Sequence, residues 1–157
     1  MTDRSVTHTT FVIERTYPVS PRAVFAAFAE PALKERWFRM PPDWVGTEHT
    51  LDFRVGGRES NRGGPAGGPV HLFDARYQDI VENERIVYAY DLYIDDQRVS
   101  VSLATVELAR VGSGTRMTFT EQGAFLDGLE DPAEREHGTG LMVDALGAAL
   151  ESGRGDE

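Results

Sequence analysis

Polar and apolar residues alternate along most of this chain, which is the pattern of half-buried β-strands. The first run, residues 9–17, places Phe11, Ile13 and Tyr17 on one side and ends at Pro18. Runs of the same period cover residues 50–55, 70–81, 85–94, 98–111 and 115–122. Six strands joined by polar turns are therefore predicted.

A long helix is predicted over residues 131–151. Asp131 can cap it, Pro132 suits its first turn, and Glu134 has the spacing of a capping box. Apolar residues then recur at spacings of three and four, forming a stripe of Leu141, Met142, Ala145, Leu146, Ala149 and Leu150. The small alanines allow either close packing on a sheet or space for a ligand. We favour the second because Ala145 and Ala149 lie centrally in the stripe.

Two short helices are predicted between the first two strands. Ser20 caps the first, Pro21 occupies its first turn, and Pro31 ends it. The second runs from about residue 32 to 38 and ends before Pro41 and Pro42.

The segment Gly56–Pro69 holds six glycines and two prolines among polar residues. Such a composition buries too little apolar surface to order itself, so we predict a mobile loop. It would be either a slack hairpin connection or a lid over a cavity.

The strand at residues 98–111 contains a change of parity. Val99, Val101 and Leu103 share one face, whereas Val106 and Leu108 share the opposite one. One extra residue near 104 or 105 would reconcile them, so a β-bulge is predicted at Ala104 or Thr105.

Composition excludes several classes of function. The net charge is −10 and the basic residues are scattered, so a nucleic acid or an anionic membrane is not expected as a partner. The chain has no cysteine, and its four histidines are separated, so neither a disulfide nor a metal site is expected.

We find no phosphate-binding loop and no nucleophile with its base, and we expect no cofactor and no catalytic residues. No signal peptide or membrane span is evident, which favours a cytoplasmic location.

Several short motifs stand in a fixed order along the chain. They are Glu14-Arg15-Thr16 before Pro18, Val24-Phe25 before Ala27, Pro31 with Leu33 and Trp37, the run 52–57, and Gly114-Thr115-Arg116. In these motifs and their order the chain resembles the family named for activators of heat-shock-protein ATPase. That family lies within the START-like superfamily, also called the polyketide-cyclase and birch-pollen-allergen superfamily. The resemblance covers most of residues 9–151.

The resemblance implies an α+β helix-grip fold, in which a curved antiparallel sheet of six or seven strands wraps around the long C-terminal helix. It implies one domain over residues 9–151, with residues 1–8 and 152–157 as flexible tails, and an apolar cavity between sheet and helix. It also implies that the first and last strands pair, which would bring Arg15 near Glu121.

Glu121 is the main polar candidate because it shares a strand face with Met117 and Phe119. A buried carboxylate needs a partner, for which Arg15 is the candidate. Glu121 could serve as half of a structural ion pair, as a polar group that orients a ligand, or as a general base.

Aromatic side chains form the rest of the candidate site, where they would supply contact area and hydroxyl groups to a ligand. Each could equally belong to the ordinary core, and His137 could equally be exposed near the helix start. The candidate ligand-binding residues are Trp37, Phe53, Phe73, Tyr77, Tyr88, Tyr90, Phe119, Glu121, His137, Leu141, Met142 and Ala145.

Three functions follow as hypotheses. The leading one is a protein that binds a small apolar or aromatic molecule between sheet and helix. The second is an enzyme of cyclase, hydratase or hydrolase type that uses the same cavity, by analogy with related folds. The third is a module that binds a chaperone. The sequence leaves open whether the protein forms a homodimer.

Overall fold

The structure is a computed structural model that describes residues 3–153. Its elements in chain order are β1 (Val6–Tyr17), α1 (Pro21–Ala29), α2 (Pro31–Lys34), β2 (Val45–Leu51), β3 (Arg58–Gly64), β4 (His71–Val81), β5 (Arg85–Ile94), β6 (Gln97–Val111), β7 (Gly114–Leu126) and α3 (Pro132–Gly153). The fold is α+β, as predicted.

All seven strands belong to one antiparallel sheet in the order β1-β7-β6-β5-β4-β3-β2. Strands β2 to β6 each pair with the next strand along the chain, whereas β1 pairs with β7. Its register sets Phe11 opposite Glu121, so the predicted pairing of first and last strands is confirmed. Helices α1 and α2 carry the chain from β1 to the opposite edge of the sheet.

The long helix lies against the concave face of the sheet. Its Val143 and Leu146 are fully buried in the core, together with Met117 and Phe119 of β7. The Tyr17 hydroxyl donates a hydrogen bond of 2.7 Å to the carbonyl of Val143, which fixes the helix to β1. The alternating pattern of the strands thus places one apolar face under the helix.

Both predicted helix caps are confirmed. The Asp131 carboxylate accepts a hydrogen bond from the amide of Ala133 at 2.9 Å, and the Ser20 hydroxyl accepts one from the amide of Ala23 at 3.2 Å. These side chains satisfy backbone donors that the first helical turn leaves unpaired.

The prediction of a mobile loop over residues 56–69 is wrong, because β3 occupies the middle of that segment. Glu59 and Asn61 face the interior and are buried, whereas Arg58 faces outward and forms an ion pair with Asp74 of β4. The buried face of β3 is therefore polar, and no apolar alternation marks it as a strand.

The predicted strand at residues 50–55 is also displaced, because β2 ends at Leu51. The chain then turns back on itself: the carbonyl of Asp52 accepts from the amide of Arg54, and that of Arg54 from the amide of Gly57. A Cβ atom on Gly57 would lie 2.0 Å from the carbonyl oxygen of Asp52, so only glycine fits this turn.

The predicted bulge lies elsewhere in β6. Pairing between β6 and β7 is regular through Ala104 and Thr105, and the irregularity falls at Val99, between the pairs Leu92–Ser100 and Tyr93–Arg98. Consequently Val101 and Leu103 point to solvent, whereas Val99 is buried beside Ser100.

The ends of three elements differ from the predicted bounds. Helix α2 ends at Lys34 rather than near residue 38, β1 begins at Val6, and α3 continues to Gly153. Of the rest of the predicted tails, residues 3–5 precede β1, with Arg4 and Ser5 hydrogen-bonded to Asp127, and residues 1–2 and 154–157 lie outside the described residues. Among residues 3–153, no helix is both long and apolar enough to cross a membrane.

Candidate functional site

A pocket of about 590 Å³ lies between α3 and the concave face of the sheet. Strands β4 to β7 form its floor, the first half of α3 forms one wall, and the connection from α2 to β2 forms another. The volume falls within the range of about 300–1,000 Å³ that is typical of small-molecule sites.

Aromatic rings in mutual contact form the floor of this pocket. The ring centroids of Phe73 and Tyr90 are 4.8 Å apart, those of Tyr88 and Tyr90 are 5.9 Å apart, and those of Phe38 and Phe73 are 5.0 Å apart. Phe73, Tyr88 and Tyr90 alternate along neighbouring strands, so the pleat turns all three rings to the same face. The floor is therefore apolar and held by packing.

Glu121 brings a carboxylate to this aromatic floor. The Tyr90 hydroxyl donates a hydrogen bond of 2.7 Å to Glu121 Oε1, and Arg135 Nη1 lies 3.5 Å from Oε2. The Glu121 side chain is only 2% exposed. Burial raises the pKa of Glu121, and the Tyr90 hydroxyl and the Arg135 guanidinium oppose that rise.

Arg135 ties the start of α3 to the sheet. Its Nε and Nη2 atoms donate to the two carboxylate oxygens of Glu130, each at 2.7 Å. Its Nη2 atom also donates to Ser100 at 2.7 Å, and its Nη1 atom donates to Tyr90 at 2.9 Å. Most of the guanidinium N–H groups thus donate to protein acceptors, so Arg135 holds the pocket wall in place.

A second buried polar cluster lies behind the Phe38 side of the pocket. Lys34 Nζ lies 2.5 Å from Glu59 Oε1, and the Tyr77 hydroxyl donates to that same oxygen at 2.6 Å. His49 Nε2 lies 2.7 Å from the other oxygen, Oε2. We call these four residues the Glu59 cluster. It joins α2, β2, β3 and β4.

Each titratable group of the Glu59 cluster responds to its burial and its partners. Burial lowers the pKa of Lys34 despite the nearby carboxylate. Burial alone would raise the pKa of Glu59, but the Lys34 ammonium and the hydrogen bonds from His49 and Tyr77 lower it. The hydrogen bond to Glu59 raises the pKa of His49.

Half of the predicted ligand-binding residues line the pocket. They are Phe73, Tyr88, Tyr90, Phe119, Glu121 and Met142.

Three predicted aromatic residues lie in the core instead. Trp37 packs edge-on against Phe28 at 4.9 Å. Phe53 packs against Tyr77 at 4.9 Å, and the Tyr77 hydroxyl is bound in the Glu59 cluster.

Three predicted residues of α3 face away from the pocket. His137, Leu141 and Ala145 are exposed on the outer face of the helix, so their predicted position at the cavity is wrong. The buried face of α3 instead carries Arg135 and Thr139 before Val143 and Leu146.

The expected partner of Glu121 is also wrong. Arg15 Nε donates to Asp144 at 2.8 Å on the surface, while Arg135 approaches Glu121 from the helix. Extending the helical period backward from Leu146 through Val143 and Thr139 reaches Arg135, and that spacing could have identified the residue.

The sequence analysis also did not identify Lys34 and Glu59 as buried polar residues, and no helical or strand spacing in the sequence distinguishes them. Lys34 lies on a four-residue helix, and Glu59 lies in a polar segment rich in glycine. Within the described part of the chain, no group of three His, Cys, Asp or Glu side chains is placed to hold a metal ion.

Two solved structures of bacterial proteins resemble this chain closely. A protein from Rhizobium loti is 51% identical, with 92% of this chain and 99% of that chain covered and a TM-score of 0.86. An uncharacterized protein from Rhizobium leguminosarum is 42% identical, with 96% and 99% covered and a TM-score of 0.91. A protein from Chromobacterium violaceum is 26% identical, with 90% and 96% covered and a TM-score of 0.75.

A search of the curated proteins finds no match. The sequence profile of one family does match, over residues 18–151, and it is described as Activator of Hsp90 ATPase homolog 1-like protein. This match begins directly after β1 and ends two residues before the end of α3, so it includes six of the seven strands, both short helices and nearly all of α3. The chain belongs to the Activator of Hsp90 ATPase homolog 1-like protein family.

Proposed function

We propose that this protein binds a small apolar or aromatic molecule in the pocket between the sheet and α3. The observation that carries the proposal is the aromatic floor of Phe73, Tyr88 and Tyr90, with Phe38 packed against Phe73 from the adjoining wall, in a pocket of about 590 Å³. Rings in edge-on and tilted contact offer their remaining faces to a ligand ring.

Hydrogen bonds within the protein hold the side chains of the pocket in place, which lowers the entropic cost of binding. Tyr90 is fixed by its hydrogen bonds to Glu121 and Arg135, and Arg135 is fixed in turn by Glu130. Side chains already held in one rotamer lose little freedom when a ligand arrives.

The expected affinity follows from the apolar area that a ligand would bury. A two-ring aromatic molecule that buries about 200 Å² gains about 5 kcal/mol at about 25 cal/mol per Å². Ring contacts with the floor add roughly 0.5–1.5 kcal/mol each, and association costs at least about 4 kcal/mol. With three such contacts about 4 kcal/mol remains, which corresponds to a dissociation constant of about 1 mM.

The proposal is tested with N-phenyl-1-naphthylamine, a neutral probe that fluoresces in apolar surroundings. Met142 lines the pocket, and Ala145 lies on the outer face of the same helix. Met142→Asp places a carboxylate against the apolar site and should weaken binding at least about tenfold, which corresponds to about 1.4 kcal/mol. Ala145→Asp makes the same change of charge and should bind the probe as the unmodified protein does.

Circular dichroism of both variants checks that each is folded. Equal binding by the two variants would refute the proposed site. If the unmodified protein, titrated up to about 1 mM into a fixed low concentration of the probe, does not bind it, the proposed function is refuted.

A further inference from the structure

The polar side chains of the pocket differ in how much of their hydrogen-bonding capacity other protein groups already use. Arg135 donates to Glu130, Ser100 and Tyr90 and has little capacity left for a ligand. Glu121 Oε1 accepts a short hydrogen bond from Tyr90, whereas Oε2, within residues 3–153, has only the 3.5 Å contact with Arg135.

That long contact matters because the carboxylate is almost fully buried. A carboxylate oxygen can accept two hydrogen bonds, and a buried one that accepts too few is costly. A hydrogen-bond donor on a ligand would supply the hydrogen bond that Oε2 lacks. Tyr88 lines the same pocket, so its hydroxyl could accept from or donate to a ligand beside Glu121.

The charge around the pocket excludes one class of ligand. Its lining includes four carboxylates, those of Glu121, Glu130, Asp131 and Glu134, whereas Arg135 is the single lysine or arginine that the described part of the chain contributes to the lining. Because Arg135 is already paired with Glu130, the remaining field is negative and repels carboxylates, sulfonates and phosphates.

We infer that Glu121 selects neutral aromatic ligands that carry a hydroxyl or N–H donor, and that the carboxylates of the pocket reject anionic ones. This inference rests on the proposed function, since it concerns the ligand of the same pocket. The inference requires the ligand donor to approach Oε2, because the Tyr90 hydroxyl already occupies Oε1.

The test uses three naphthalenes that differ in one substituent. 2-Naphthol carries a donor, 2-methoxynaphthalene has the same oxygen without a donor, and 2-naphthoate is an anion. Binding is measured by calorimetry at pH 7.5, where 2-naphthol is neutral. We expect 2-naphthol to bind at least about tenfold tighter than either of the others, as for a hydrogen bond to a charged group.

Glu121→Gln identifies the residue responsible. Glutamine keeps the shape of the side chain and an acceptor for Tyr90, but it removes the charge. The preference for 2-naphthol over 2-methoxynaphthalene should fall to below about threefold, and 2-naphthoate should bind more tightly than before. Glu136→Gln removes the same charge from an exposed position of α3 outside the pocket and should leave all three affinities unchanged.

The outcomes separate the inference from the proposed function. If the unmodified protein binds 2-naphthol and 2-methoxynaphthalene equally, the pocket binds aromatic molecules but the inference is overturned. If Glu121→Gln keeps the full preference, selection by Glu121 is overturned. If none of the three binds, the proposed function fails and the inference falls with it.

Discussion

Replacing Lys34 by methionine removes the cation from the Glu59 cluster while keeping most of the side-chain volume. The Lys34 and Glu59 side chains are only 4% and 1% exposed, so water cannot replace the lost ammonium. Glu59 would keep the Tyr77 hydroxyl at 2.6 Å and His49 at 2.7 Å, but it would remain a buried charge without its main counter-ion.

We expect Lys34→Met to lower the free energy of unfolding by about 3–5 kcal/mol, the usual cost of removing one partner of a buried ion pair. For a domain of this size, that loss lowers the melting temperature by roughly 6–20 °C. The cost should be smaller at pH 6 than at pH 8, because a protonated His49 can partly replace the missing cation.

A double-mutant cycle separates the pair from the other contacts of Glu59. Lys34→Met combined with Glu59→Leu removes both charges and leaves the Tyr77 hydroxyl as the main unpaired buried group, which costs about 1–3 kcal/mol. The double variant should therefore be more stable than Lys34→Met alone, with a coupling energy of at least about 2 kcal/mol. Urea unfolding followed by tryptophan fluorescence measures all four proteins, since the Trp37 ring lies 5.9 Å from Lys34 Nζ.

Arg58 provides the matched control, because it neighbours Glu59 in β3 but points to solvent. Its ion pair with Asp74 has a distance of 2.7 Å, and its side chain is 62% exposed. Arg58→Met should cost less than about 1 kcal/mol. A cost of Lys34→Met no larger than that of Arg58→Met would refute the reasoning, as would a double variant whose cost equals the sum of the single costs.

Two further predictions concern stability. Gly138 lies within α3, and a Cβ atom there would meet no atom within 4 Å. Gly138→Ala should therefore raise the free energy of unfolding by about 0.5–1 kcal/mol in urea unfolding, and a loss of stability would contradict the open space at this position. His49 faces Glu59, Glu35 and Lys34, and its hydrogen bond to Glu59 raises its pKa above 6.5. The resulting stability is complete below pH 6.5 and is lost as pH rises through the folded-state pKa. His49→Gln should accordingly cost about 1 kcal/mol more at pH 6 than at pH 9, and an equal cost at both values would count against the assignment.

The sequence predicted most of the fold because its strands alternate strongly. In β5 and β7, apolar side chains repeat with period two and mark the buried face, so both strands and the inward direction of Glu121 were recognised. Strand β3 obeys the same geometry, but its buried face carries Glu59 and Asn61. Reading hydrophobicity alone cannot detect a strand whose interior side chains are polar and paired.

The candidate site was predicted only in part, for a related reason. Leu141 and Ala145 are apolar and point outward, while Arg135 and Thr139 are polar and point inward. Arg135 is stable inside because Glu130, Ser100 and Tyr90 satisfy it, and two of these partners lie on strands distant in sequence. Which polar residues are buried thus depends on contacts that only the folded chain brings together.

The pairing of β1 with β7 also constrains how this protein folds on the ribosome. Tyr17 pairs with Thr115 and Val6 pairs with Leu126, so β1 has no strand partner until most of the chain has been synthesised. At about 5–20 residues per second, the nascent first strand waits roughly 5–20 s, with the apolar side chains of Phe11 and Ile13 uncovered. Contacts of such large sequence separation form late and slowly. The strand that forms one edge of the native sheet thus waits for its pairing partner through most of synthesis.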